Sequence, residues 1–212
     1  MKKMTFVRKP LTVALAVIGA ACATIAGSQT IVDEWASVKA PPPPELKPVK
    51  IAPKETALLM LDFIKQTCSP RPRCIASLPK AQQLLAQARQ SGTHVIYSLI
   101  PNSSTADILP QVAARAGEPA VATRANKFIN TELDKLLKER GVKTVIVMGT
   151  AAEGAVLNTG AYAALLGYKV VLPIDGSSSL YPYAEQYTVW HLANAPGIGP
   201  QTTVTRSDMV SF

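Results

Sequence analysis

The sequence predicts an α/β fold: three layers, α-β-α, with a mostly parallel sheet and helices on both faces. Three observations predict it. Val145 to Met148 is a short apolar, β-branched run, the end of a strand from Val142, that Gly149 ends, and a helical pattern follows from Glu153 to Leu166. Ala57 to Phe63 is a second apolar run, with one carboxylate, Asp62, near its carboxyl end. Strand and helix patterns alternate along the chain, and there is no internal repeat. Open sheets of this kind bind ligands beyond the carboxyl ends of their strands. A strand, a sharp turn and a helix N-terminus also aim several backbone N–H groups at one spot, which suits an oxyanion. An ordinary βα turn is the plain alternative for the same stretch.

The elements follow in chain order. Lys2, Lys3, Arg8 and Lys9 form a basic head, Leu11 to Ile18 an apolar core, and Gly19 to Ala23 a small-residue end. Residues 1–28 therefore read as a secretory signal peptide, cleaved after Ala23 or Ser28, and the protein as periplasmic or secreted. An uncleaved anchor or a lipoprotein is the alternative, although Gly19 stands where a lipobox at Cys22 needs Leu. Without the leader's four basic residues, the 22 Lys and Arg fall to 18 against 14 acidic residues, a net charge of about +4. No arginine-rich or aromatic-interleaved stretch accompanies that charge, so nucleic-acid binding is not expected. The run from Pro41 to Pro44, with Pro48, makes residues 29–53 an extended linker, and a folded domain of residues 54–212 should follow.

Lys65 to Cys74 holds Pro70 and Pro72 and reads as a loop directly after Asp62. With Cys22 in the leader, Cys68 and Cys74 are the two remaining cysteines of an exported chain, and a structural bridge is the expectation. A catalytic thiol is the alternative, though no base adjoins either residue. Arg71 and Arg73 could reach an anionic substrate or simply be solvated. Ser77 should cap a helix whose inner face is Leu78, Ala81, Leu84, Leu85 and Ala88, stopped by Gly92. Thr93 to Ile100 is a strand in which His94 is packed rather than catalytic. A short helix is expected near Ala106 to Ala114. Pro119 to Asn130 shows no clear pattern. Thr131 caps a helix that Gly141 ends, with Leu133, Leu136 and Leu137 inward. After the central strand and its helix come a strand from Tyr168 to Pro173, a helix from Tyr181 to Leu192, and a last strand from Gln201 to Thr205.

From Val145 to Val156 the chain reads V-I-V-M-G-T-A-A-E-G-A-V, and Ala57 to Phe63 reads A-L-L-M-L-D-F. Together these stretches resemble the isochorismatase-like hydrolases, the isochorismatase-type cysteine hydrolases, over residues 55 to 206. The resemblance implies an Asp at the end of the first strand, a Lys ahead of a middle helix and a Cys in the turn G-x-x-x-[DE]-x-C. Asp62 matches the first. The turn Gly149-Thr150-Ala151-Ala152-Glu153-Gly154-Ala155 matches the last, but with Ala155 where the nucleophile belongs. Counting back six residues from Phe128 places Ala122 at the Lys position, so a local shift would be needed to bring Arg124 or Lys127 to the pocket, and a surface cation ahead of a helix is the plain alternative for each. The resemblance also implies a cis peptide at Thr150–Ala151, and binding contributed by Ala151, Gly154 and Ala155. A thioester route through position 155 is excluded, because alanine is no nucleophile. In isochorismatases proper, which also lack the Cys, the resemblance implies that the Asp serves as the proton donor to a vinyl ether. The expectation is an exported small-molecule hydrolase with Asp62 as acid or base and Arg124 or Lys127 beside it. It uses no cofactor and no metal, since His94 and His191 stand alone. A non-catalytic binder of a small carbonyl or carboxylate compound is the alternative, and an envelope protein working through the proline arm a third. A homo-oligomer is compatible with either of the first two.

Overall fold

The computed structural model describes residues 30–212, so the leader expected at 1–28 lies outside the described residues. The chain divides into two compact units, residues 1–40 and 41–212. In the first, Ile31–Glu34 forms a one-turn helix, α1, with Asp33 Oδ2 accepting from the Thr30 N–H at 2.9 Å.

In the second unit the strands and helices run in order: β1 (Val49–Lys50), β2 (Thr56–Leu61), α2 (Lys65–Cys68), α3 (Pro72–Ser91), β3 (His94–Leu99), β4 (Ala120–Ala122), α4 (Leu133–Glu139) and β5 (Thr144–Thr150). Then follow α5 (Leu157–Leu165), β6 (Lys169–Pro173), β7 (Ser177–Ser178), α6 (Pro182–Asn194), β8 (Thr202–Thr205) and β9 (Val210–Ser211). The main sheet has the order β4-β3-β2-β5-β6-β8, and every pairing in it is parallel. β7 joins β5 in parallel just beyond the stretch where β6 pairs with it. All six residues of β2 are buried, as expected of a central strand covered on both faces.

Alternation along the strands sorts the core into two layers. Leu58, Met60, Val95, Tyr97, Ile146 and Met148 pack with α3 on one face. Leu59, Leu61, Ile96, Val145 and Val147 pack on the other, with Leu133 of α4, Ala163 of α5 and Leu192 of α6. Paired residues share a face throughout, for example Leu59↔Val147 on the α5 side and Leu58↔Ile146 on the α3 side.

Five expectations change. Lys65 to Cys74 is not a plain loop: it holds α2 and the first turn of α3, which starts at Pro72. Proline suits that first position, where its missing N–H would have had no helical partner. Ser77 therefore does not cap; its hydroxyl donates to the Cys74 carbonyl at 2.8 Å inside the helix. The helix expected near Ala106–Ala114 is two single turns of 3-10 helix, Thr105–Asp107 and Pro110–Val112. The patternless segment contains β4, an edge strand of three residues, too short to show alternation. The domain also begins before residue 54. Lys47 N–H donates to the Val204 carbonyl at 3.0 Å, β1 pairs with β9, and Ile51 is only 5% exposed.

Candidate active site

β2 and β5 run side by side with Leu61 opposite Gly149, so Asp62 and the turn after Gly149 leave the sheet at the same level. Gly149 has φ +150°, and a Cβ there would stand 2.1 Å from the Leu61 carbonyl oxygen. Only glycine allows β5 to approach β2 this closely at its end. The Thr150–Ala151 peptide is cis, as the resemblance implied. The helix that follows opens with a π turn over Ala152–Val156 before α5 becomes regular. The Ala151 carbonyl accepts from the Gly154 and Val156 N–H groups at 3.1 and 3.3 Å. Ala155 is buried, with its methyl group in the α5-side core.

Asp62 adopts φ +54°, a left-handed conformation that Asp tolerates better than most side chains. Its N–H donates to the Ser98 carbonyl at 3.2 Å, and its own carbonyl accepts from the Thr67 hydroxyl. The carboxyl is held at both oxygens. Ser98 Oγ donates to Oδ1 at 2.7 Å, and Lys127 Nζ lies 2.7 Å from Oδ2. Asp62 is 4% exposed and Lys127 0%. Burial pushes the Asp62 carboxyl above its ordinary range; the Lys127 charge and the hydrogen bonds from Lys127 and Ser98 oppose that rise without cancelling it. The Lys127 ammonium also reaches the Leu99 and Thr123 carbonyls at 3.3 and 3.2 Å. An ammonium has three protons, and here three acceptors share them. Lys127 thus holds and charges Asp62 and has no further donor to offer a substrate.

Lys127 is brought in by the segment between β4 and α4. Its N–H donates to Thr159 Oγ1 of α5 at 3.2 Å, and its carbonyl accepts from Thr131 Oγ1 at 2.6 Å. The cation is therefore the residue directly before Phe128. Ala122, reached by counting back six, is exposed at the edge strand, and Arg124 is exposed as well. Arg124 is not part of the Asp62 ion pair; of the two cations expected beside Asp62, Lys127 is the one that pairs with it. Ser98 was missed altogether, since a serine within an apolar strand signals nothing until its neighbour strand is known.

The other candidates lie elsewhere. Cys68 and Cys74 are bridged, with S–S 2.06 Å, and both are fully buried, so neither is a free thiol. Arg71 is turned back to the Thr67 carbonyl, and Arg73 Nε pairs with Glu185 Oε1 at 2.7 Å. His94 opens β3 at the opposite end of the sheet, where burial lowers its imidazole below the ordinary value. His191 is 3.3 Å from the Tyr187 hydroxyl on α6. Among the described residues no three His, Cys, Asp or Glu side chains gather to hold a metal. A groove of about 800 Å³, walled by Pro41 to Pro44, Val189 and Trp190, shares no residue with the Asp62 edge.

Comparison with known proteins agrees with this architecture. The family described as Isochorismatase domain matches residues 56–205, and the chain belongs to that family. It is 26% identical over 149 aligned residues to maleamate amidohydrolase of Pseudomonas putida, covering 56% of this chain and 70% of that protein. A cysteine hydrolase structure from Pseudomonas syringae superposes with TM-score 0.66 at 22% identity, covering 78% of this chain and 94% of the other. N-carbamoylsarcosine amidase from Thermoplasma acidophilum superposes with TM-score 0.63 at 21% identity, covering 73% and 97%. At these identities the two structures speak for the fold.

Proposed function

We propose that this protein hydrolyses a small molecule by direct attack of water, with Asp62 moving the proton and no covalent intermediate. One observation carries the reading: a buried carboxylate gripped at both oxygens, by Lys127 and by Ser98, at the carboxyl edge of a parallel sheet. All those donors favour the charged form, so Asp62 begins as the base. It takes a proton from water as the water oxygen attacks the substrate carbonyl carbon. It then returns that proton to the leaving atom as the bond from carbon breaks. Ala155 takes no part, because a methyl group cannot attack. Small amides are the first substrate class to try, because relatives carry amidohydrolase and amidase in their names. We further place the protein outside the cytoplasm, on the basic-apolar leader pattern and on the Cys68–Cys74 bridge, which suits an oxidising compartment.

The test is a hydrolysis screen of amides, esters and vinyl ethers with wild type and Asp62→Asn in parallel. Turnover by wild type that falls at least a hundredfold in Asp62→Asn is expected, on the order of what a general base contributes. Equal turnover by the two proteins would refute the assignment. Binding of a compound without turnover in any class would make this a ligand-binding relative instead.

A further inference from the structure

We propose that Ser177 is a substrate-binding residue that hydrogen-bonds a neutral polar group of the ligand, such as a carboxamide. This rests on the reading of the Asp62 edge as the reaction site, and it adds a second polar contact at the other side of the turn.

The register of the sheet carries the inference. Val121, Ser98, Leu61, Gly149 and Ser177 are successive Cα partners across β4, β3, β2, β5 and β7. They form one rung at the carboxyl end of the sheet. Leu61 and Val121 belong to the α5-side core, as does Ala155. Side chains of one rung share a face, so Ser98 and Ser177 stand on that face too. Ser98 is committed to Asp62. Ser177 is not: its hydroxyl oxygen is shut off from solvent and has no hydrogen-bond partner among the described residues. A buried hydroxyl without a partner is costly unless something fills that role. β7 is two strand spacings from β2, roughly 10 Å, a span that a small ligand bridges.

The loop that presents Ser177 is held in advance. Asp175 accepts from the Ser207 N–H at 2.8 Å and from its hydroxyl at 2.7 Å. Gly176 sits so close to Met148 that a Cβ would stand 2.1 Å from Cε. The Thr150 hydroxyl beside the cis peptide donates to the Ser178 carbonyl at 3.2 Å, tying this loop to the turn. A serine hydroxyl both donates and accepts, and a carboxamide offers the complement of both.

Ser178 supplies the control. It is 1% exposed and its hydroxyl is likewise without a partner, but it pairs with Thr150 and so faces the α3 side. The probes are nicotinamide, a neutral carboxamide, and maleamate, a carboxamide that also carries a carboxylate. Each is titrated calorimetrically into Asp62→Asn and into the same protein with Ser177→Ala or Ser178→Ala. Ser177→Ala should weaken binding at least fivefold, Ser178→Ala less than twofold, and neither should lower Tm. Absence of binding by both amides overturns the proposal, as does equal weakening by the two serine variants or an unchanged Kd in Ser177→Ala. Wild-type turnover that depends on Asp62 but not on Ser177 overturns this inference and leaves the hydrolase reading standing. Ser177-dependent binding without turnover does the reverse.

Discussion

Asp62 does two jobs that constrain each other. Its backbone sits at φ +54°, where asparagine is tolerated and alanine is strained, so Asp62→Asn is the cleaner variant. Asp62→Ala should lose about 1 kcal/mol more stability than Asp62→Asn, read from urea unfolding. Burial raises the carboxyl, and on the proposed reading it acts as the base, so the rate should climb as pH rises through its folded pKa and then level off. That midpoint should lie above the ordinary Asp value of 3.8. The Ser98 hydroxyl stabilises the charged form, so Ser98→Ala should move the same midpoint upward and lower kcat/KM about tenfold. An unmoved midpoint would make Ser98 a packing residue only. A limb that falls instead of rising would make Asp62 the acid, as in the vinyl-ether chemistry the resemblance implied.

Helices α2 and α3 support that residue from behind. The Thr67 hydroxyl can donate to the Asp62 carbonyl because α2 begins only three residues after Asp62. The Cys68–Cys74 bridge joins the end of α2 to the first turn of α3 and closes a loop with a sequence separation of 6. Closing so short a loop stabilises by on the order of 2 kcal/mol through the unfolded chain. The double variant Cys68→Ser/Cys74→Ser should therefore melt about 4–8 °C lower, measured by circular dichroism. A melt unchanged within 1 °C, taken as roughly the error of the method, would show that packing alone holds the two helices. Helix α3 carries Pro79 in its interior without breaking. The carbonyl four residues earlier, which loses its helical N–H partner to the proline, belongs to Ile75, a residue 44% exposed.

The whole domain reaches further toward the N-terminus than composition suggests. Ile51 is buried, its N–H donates to the Ser211 carbonyl at 2.7 Å, and β1 pairs with β9. A chain beginning at Lys54 loses these contacts, and one beginning at Pro41 keeps them. The shorter chain should be less stable by about 2–3 kcal/mol, the worth of burying one isoleucine. Equal unfolding midpoints in urea would return residues 41–53 to the status of a spacer. Proline content alone could not reveal this role. A proline arm is extended whether or not it lies on a surface, and what anchors it is the backbone of residues 150 and more positions away.

By itself the sequence determined the layered α/β fold, because strand and helix periods follow directly from side-chain order. It also determined the carboxylate just beyond the end of β2, since that is a matter of residue type after an apolar run. The bridge between Cys68 and Cys74 was legible as well, as two cysteines close in sequence with the third, Cys22, in the stretch that reads as a leader. Only the tertiary structure decided which cation serves Asp62. Arg124 and Lys127 are three positions apart in a segment without periodicity, and the choice depends on Thr159 and Thr131, which hold the Lys127 backbone from a distance. Ser98 and Ser177 were invisible for the same physical reason. Ser98's bond to Asp62 and the role proposed for Ser177 both depend on a place on one rung of the sheet, and register between strands is set by the packing of both faces, not by any local stretch of chain.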